Sequence, residues 1–436
     1  GDIRSGYYRD QTFMMAIDQL TPNQFFSQLY SHTDITKEPH SAGRQMNCHF
    51  ATRMLNDSGE WKTLTDIKNS TSDISCVAGQ MPRLIGLAYA SKLYRNNSSL
   101  SNEQNFSING NEVAFGTIGD AGTSEGHFWE TMNAAGVLQI PLVMSIWDDG
   151  YGISVPSEYH TTRNDLSKVL SGFQRSNKNE KGFELFQVNG WDYVGLIKTY
   201  RKAIFYARNE HVPCIIHVKD VTQPQGHTTS GSHERYKSKK RLKWEDDFCC
   251  IKKMKEWIIK NNIADLYELN DIEISAASSS KKSRNSAWKS YRKDINEDLQ
   301  DANAIIIKVA QNSPKNKKDI ISVRNDLNNI IQPLKSDIQK SLKYVQRIIR
   351  SENNIAKNYL INSYVLRLDS NKKVASILLN TQMDGLNIDF FKKRNDYINS
   401  VSLNDIKKIA NRILDENKIF FLIVGSPTNL KNINKI

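Results

Sequence analysis

Through the first half of the chain, short apolar runs alternate with stretches of helical periodicity. Val113 to Ile118 is apolar and ends in Gly119-Asp120-Ala121-Gly122. Helical spacing follows from about Ser124 to Leu138. A second apolar run, Leu142 to Ile146, then ends in Asp148-Asp149-Gly150-Tyr151-Gly152. Strand, tight turn, helix and strand in that order predict a βαβ unit. The rhythm continues with a strand and turn at Gln187–Asp192, a helix over Val194–Arg208 and a strand over Cys214–Val218. It persists to about residue 222 and predicts an α/β fold. Upstream, Thr21-Pro22 opens a helix with proline at its first position, and Pro39 to Asn47 is a polar loop. A short polar spacer, Asn105 to Asn111, precedes the central strand.

Beyond residue 222 the pattern becomes helical. Lys243 to Ile259 carries Phe248, Ile251, Met254 and Ile258 at helical spacing. Ala276–Gln311 and Lys317–Ile349 predict further helices, interrupted by the polar run Ser278–Lys282 and by Pro333. From Ile355 the tail predicts two helical segments and a closing strand, Ile419–Gly425. Ser402-Leu403-Asn404-Asp405 has the spacing of a capping box, with Asp in the place of Glu.

Open α/β sheets bind ligands at the carboxyl ends of their strands, and both strand ends of the central unit are acidic. Asp149 follows Asp120 by 29 positions, so parallel neighbouring strands would bring the two carboxylates together. Hard oxygen ligands at one point suit Mg²⁺ or Ca²⁺. The small residues Gly119, Ala121 and Gly122 would let backbone N–H groups and the following helix N-terminus approach a phosphate. Either acid alone would be an ordinary loop carboxylate. The ordered set predicts a site for a metal-bridged diphosphate.

A net charge of +12 over 436 residues raises the question of nucleic acid. The basic residues, however, concentrate after Tyr236 among many Asn and Ile, without interleaved aromatics, so no nucleic-acid role is expected. Five cysteines without a C-x-x-C pair suit a reducing cytosol, which makes a cytoplasmic location the expectation. No apolar run approaches a membrane span, and the opening residues do not read as a signal peptide.

The central motif resembles the thiamine diphosphate fingerprint, Gly-Asp-Gly followed after some thirty residues by Asn-Asn. It is most similar to the alpha part of the decarboxylating component of 2-oxo acid dehydrogenase complexes, of the branched-chain type. Ala121 stands where the third fingerprint residue is usually Gly, and Asp148-Asp149 where Asn-Asn is usual. A carboxylate can replace an amide oxygen as a metal ligand, so the second change alters charge without removing a donor. Trp147 occupies a place where relatives often carry a polar or charged residue.

Other stretches carry the same resemblance, from about Gly6 to Asp247. Tyr7-Tyr8-Arg9-Asp10 is similar to the motif that holds the diphosphate, where an Arg fork suits phosphate. Ser75 and Val77, in Ser75–Pro82, match the residues that touch the aminopyrimidine, and a helix over Arg83–Leu93 follows. Gly226-His227-Thr228-Thr229-Ser230 matches the loop whose His reaches cofactor and substrate, and His160–Lys168 the loop over the bound cofactor. The resemblance implies a thiamine diphosphate-binding fold, a parallel sheet flanked by helices, followed by a helical connector and a small α+β tail. It implies Mg²⁺ held by Asp120, Asp149 and the Tyr151 carbonyl. Cofactor contacts would come from Tyr8, Arg9, Ser75, Val77, Gly119, Asp120, Ala121, Gly122, Asp149, Tyr151 and His227, with His227 catalytic. The implied reaction is oxidative decarboxylation of a 2-oxo acid with transfer of the acyl group to a lipoyl acyltransferase component. It needs a beta part, which supplies the Glu that activates the aminopyrimidine. A non-catalytic thiamine-fold scaffold is the alternative.

The expected domains are residues 1–246 for the cofactor fold, 247–354 for the connector and 355–436 for the tail. Since GDIRSGYY already lies in the motif region, the family's N-terminal helix is expected to be missing. The tail resembles the C-terminal end of pitrilysin-type, mitochondrial-processing-peptidase-like zinc peptidases. Their His-x-x-Glu-His motif occurs nowhere in the chain, so the tail is expected to be a peptidase-like fragment without catalytic ligands, and an interaction role judged by it is part of the alternative.

Overall fold

The structure is a computed structural model that describes residues 1–45, 47–228, 232–351 and, between 377 and 413, all but 380, 384 and 388. Its first strands and helices are β1 (Ile3–Ser5), α1 (Gln11–Ala16), α2 (Pro22–Leu29), β2 (Asn69–Ser70) and α3 (Gln80–Asn96). The central unit is β3 (Ala114–Gly119), α4 (Gly126–Leu138) and β4 (Leu142–Trp147), with a 3₁₀ turn Ala121–Ser124 before the helix. A small hairpin, β5 (Tyr151–Gly152) and β6 (Val155–Pro156), leads to α5 (Leu166–Leu170), β7 (Glu184–Asn189), α6 (Tyr193–Phe205) and β8 (Cys214–Lys219).

Six strands form one sheet in the order β2-β1-β3-β4-β8-β7, and every neighbouring pair is parallel. Parallel strands need crossover connections, so both faces must be covered. Alternation along the strands does this. Leu142, Met144 and Ile146 of β4 and Ile215 of β8 join a core with Met81 and Leu84 of α3 and Phe128 and Met132 of α4. Val143 of β4 and Cys214, Ile216 and Val218 of β8 turn the other way, against Ala203 of α6 and Ala207 just beyond it. The β3–β4 register aligns Gly119 with Trp147, which puts the two acidic turns side by side at the carboxyl edge. The parallel sheet flanked by helices is as the sequence predicted. At α2, Thr21 and Gln24 form a full capping box with proline behind the cap.

Two helical expectations change. The segment expected as one helix over 243–259 is α7 (Lys239–Asp247) and α8 (Cys250–Lys260). Phe248 closes α7 with its N–H on the Trp244 carbonyl, and its ring packs on Trp191 and Trp244. Cys249 is extended. Conversely, the Ser278–Lys282 run interrupts nothing, because α9 runs unbroken from Leu266 to Asn312. That stretch contains neither Gly nor Pro, and exposed Ser and Lys cost a helix little.

Two compact units divide at Arg292/Lys293, the first containing the sheet. In the second, α10 (Lys317–Asn329) buries Ile320, Val323 and Leu327, and α11 (Lys335–Ile348) buries Ile338 and Val345, with Pro333 between them as expected. Helices Phe390–Ser400 and Leu403–Ile413 follow. The second begins at the expected cap: the Ser402 N–H donates to Asp405 at 2.9 Å and the Asp405 N–H to Ser402 Oγ at 3.2 Å. The expected strand Ile419–Gly425 lies outside the described residues.

Candidate functional site

The carboxyl edge of β3 and β4 carries the site. Asp120 caps the 3₁₀ turn, with its N–H donating to the Trp147 carbonyl at 3.2 Å, so the turn after β3 is laced to the end of β4. The residue is only 3% exposed and its Oδ2 has no hydrogen-bond partner. Burial first, then the neighbouring Asp148 and Asp149 carboxylates, push its pKa up to about 8. A buried carboxylate without a donor is costly. That cost falls at the turn after β3, beside the second acidic turn.

Asp148 and Asp149 play different parts. Asp148 Oδ2 accepts from Nε2 of His217 at 2.8 Å, and His217, fully buried on β8, meets Ser167 Oγ of α5 through Nδ1 at 2.7 Å. Burial raises the Asp148 pKa, but the His217 bond and charge and the Gly150 N–H outweigh it and hold it below the usual range. Asp149 Oδ1 accepts from the Tyr151 N–H at 3.2 Å. Burial raises its pKa against that bond and the Lys237 charge. The Asp149 carbonyl accepts from Arg241 Nη2 at 2.8 Å. Arg241 and Lys237 both reach the buried Glu245, at 2.9 and 2.7 Å, and both lie over the Tyr151 ring. Helix α7 thus clamps the Asp149–Tyr151 turn from behind.

An N-terminal limb closes the other side. Arg4, 1% exposed, forks between Asp10 and Asp73, each at 2.7 Å, and Thr117 Oγ1 of β3 donates to Asp10 at 2.5 Å. This network pins the Tyr7–Asp10 loop against the sheet. Tyr7 is buried enough to feel Asp120, and burial and the Asp10 charge push its hydroxyl far above the usual range. Arg9 Nη2 lies 2.6 and 3.2 Å from the two ring nitrogens of His227, and burial with the Arg9 charge lowers the His227 pKa. Tyr8 stacks on His49 at 6.4 Å, and His49 Nε2 meets Ser75 Oγ at 2.5 Å. The exposed Val77 leans toward Gly122, where an added Cβ would lie 3.5 Å from Val77 Cγ1. Tyr8 and Ser75 are thus joined through His49, and Arg9 meets His227. Val77 meets Gly122 in the turn after β3, and Asp120 faces Asp149 of the turn after β4. Gly119, Ala121 and Tyr151 lie in the same two turns.

Three histidines to which the sequence assigned no role of their own stand out, His160 among them at the start of the loop His160–Lys168. His49 bridges Tyr8 and Ser75. His217 had one sequence signal, a lone polar residue in the apolar run Cys214–Val218. His160 Nε2 lies 3.7 Å from Asp120 Oδ2, and neither atom has a hydrogen-bond partner. Among the described residues no group of three or more His, Cys, Asp or Glu side chains converges to hold a metal unaided. The carboxylates of Asp120 and Asp149 are hard oxygen donors of the type that Mg²⁺ or Ca²⁺ takes.

Open parallel α/β sheets bind their ligands outside the carboxyl ends of the strands, where the paired acidic turns of β3 and β4 lie. The chain belongs to the dehydrogenase E1 component family, whose model matches residues 1–305. It is similar to the pyruvate dehydrogenase E1 component subunit alpha of Rickettsia bellii, 27% identical over 198 residues, 45% of this chain and 53% of that protein. It is also similar to the mitochondrial 2-oxoisovalerate dehydrogenase subunit alpha 2 of Arabidopsis thaliana, 25% identical over 225 residues, 51% of this chain and 39% of that protein. The 2-oxoisovalerate dehydrogenase subunit alpha of Bacillus subtilis is 25% identical over 211 residues, 48% of this chain and 52% of that protein. The chain spans about half the length of the curated relatives it matches.

Proposed function

We propose that this chain is the alpha portion of a thiamine diphosphate-dependent 2-oxo acid dehydrogenase. It works with a beta part and passes its acyl product to a lipoyl acyltransferase. The observation that carries this reading is the buried, unpartnered Asp120 Oδ2 facing a second acidic turn across two adjacent parallel strands. In this reading Asp120, Asp149 and the Tyr151 carbonyl hold Mg²⁺, and Arg9 holds the diphosphate. Ser75 and Val77 take the aminopyrimidine. The backbone of Gly119, Ala121 and Gly122 approaches the phosphates.

When bound, thiamine diphosphate supplies the electron sink for decarboxylation. The protein's own residues bind, orient and move protons. Arg9 and His227 are in contact, so Arg9 would hold the diphosphate as a guanidinium fork beside the His227 ring. His227 would then stand next to the cofactor as a group able to donate or accept a proton at the substrate. Asp148 Oδ2 accepts from His217, yet its charge still reaches Asp120, whose pKa it raises after burial. The Asp-Asp variant therefore differs from Asn-Asn in two carboxylates beside Asp120, one of them hydrogen-bonded to His217.

The preferred substrate in this reading is a branched-chain 2-oxo acid, supported by the QMP and WDDGYGISVP runs and by relatives named for 2-oxoisovalerate. The enzyme is placed in the cytoplasm, and residues 355–436 are taken as a peptidase-like fragment without catalytic ligands. The test is single-turnover decarboxylation by this chain reconstituted with a beta part. The reading expects 3-methyl-2-oxobutanoate to react faster than pyruvate. Faster pyruvate turnover overturns the substrate preference, and absence of decarboxylation with both acids favours a non-catalytic scaffold.

A further inference from the structure

A buried row of three side chains joins the start of α5 to the end of β4. Ser167 Oγ meets Nδ1 of His217 at 2.7 Å, and Nε2 of His217 meets Asp148 Oδ2 at 2.8 Å. Ser167 is 3% exposed and His217 is fully buried. Serine, histidine and aspartate in one row suggest a nucleophile, but the geometry speaks against it. In a nucleophilic triad the hydroxyl faces Nε2 and the carboxylate faces Nδ1. Here the two are exchanged, and the hydroxyl is closed off from any substrate. The row is built to hold a shape.

The carboxylate carries that shape into the acidic turn. Asp148 Oδ1 accepts from the Gly150 N–H at 2.9 Å, while Oδ2 is held by His217. An ionised carboxylate only accepts, so it takes a donor on each oxygen. Gly150 has φ +78°, and its carbonyl accepts from the Ser157 N–H at 3.0 Å. The turn that presents Asp149 and Tyr151 is therefore set by the Asp148 side chain, and that side chain by the His217 ring. At the far end, Asp165 caps α5 by accepting from the Ser167 N–H at 3.0 Å, and it lies 3.8 Å from Lys219 of β8. Between these anchors the loop 157–165 carries Arg163 and Asn164 at φ +64° and +50°. Consecutive left-handed residues without glycine persist where the surrounding structure holds them.

Resting on the cofactor-site reading above, we propose that His217 is a positioning residue for the cofactor turn, acting through Asp148, with Ser167 fixing its ring. Cofactor affinity then depends on a hydroxyl on α5 that reaches the turn only through His217 and Asp148. The relay governs how tightly the cofactor is held, and the chemistry on the bound cofactor does not pass through it.

The test titrates thiamine diphosphate with Mg²⁺ into the full chain with its beta part by calorimetry, and measures turnover of a 2-oxo acid at saturating cofactor. Ser167→Ala removes one buried hydroxyl and should weaken cofactor binding roughly fivefold, the size of one hydrogen bond, while kcat at saturation holds. His217→Gln should weaken binding at least as much. The double variant should lose no more than His217→Gln alone, because the same row is cut twice. Unchanged cofactor affinity in Ser167→Ala, or full additivity of the two substitutions, overturns the relay and leaves the cofactor site standing. Absence of Mg²⁺-dependent binding in the wild type overturns the cofactor-site reading, and the relay with it.

Discussion

His217 Nε2 donates to Asp148 Oδ2 at 2.8 Å across the β4–β8 ladder, and the imidazole that makes this bond is fully buried. A carboxylate where relatives carry an amide would otherwise add a charge at the edge of the core. Buried charges persist when paired and hydrogen-bonded. Replacing His217 with Leu should leave Asp148 uncompensated and cost about 3 kcal/mol, in the range for breaking a buried pair. Adding Asp148→Asn to that variant should recover much of the loss. Thermal unfolding of the wild type, both single variants and the double variant checks this. Additive single effects would show that the two residues are not coupled.

Asp120 gives a pH dependence of definite sign. Burial and its acidic neighbours raise its folded pKa to about 8 from the ordinary 3.8. A raised carboxyl pKa means that the folded state holds its proton more tightly than the unfolded chain. Its contribution favours folding at low pH and is lost as pH rises through 8. In metal-free buffer, Asp120→Asn should therefore be more stable than wild type, and the gap should widen between pH 4 and pH 8. Melting curves across that range decide. A gap that closes as pH rises contradicts the assignment.

Arg4 holds the N-terminal limb, and its loss should be felt at the site. Without the guanidinium, Asp10 and Asp73 each lose their buried ion pair. Burial already pushes Asp73 up to about 6 despite Arg4. Arg4→Met should cost about 3–5 kcal/mol, more at pH 8 than at pH 5, because ionisation of the orphaned carboxylates rises with pH. Arg4→Lys should recover only part, since a single ammonium cannot reproduce the fork. Urea unfolding at the two pH values measures both. An equal loss at pH 5 and pH 8 would mean that Arg4 acts by packing alone.

The centre of the sheet was legible because β3, β4 and β8 are apolar runs, each located to within a residue or two, whereas β1 and β2 are too short and polar to show a pattern. The motif acids and the Arg9–His227 pair were legible as residue types in order. What stayed hidden depends on contacts between distant positions. His217 meets a carboxylate 69 residues away. His160 meets Asp120, 40 residues away in sequence, at 3.7 Å. The break at Phe248–Cys249 escaped periodicity because the apolar spacing continues through it, and Trp191 and Trp244 decide it in space. The unbroken α9 was missed for the opposite reason, a polar run read as a breaker where no Gly or Pro stands.

The central claim is that Asp120 binds the cation that bridges to a diphosphate. Calorimetric titration of thiamine diphosphate into the chain with its beta part, with and without Mg²⁺, tests it most directly. The account predicts Mg²⁺-dependent binding in the wild type and none detectable in Asp120→Ala under the same conditions. Equal affinity in wild type and Asp120→Ala, or wild-type binding indifferent to Mg²⁺, would contradict it.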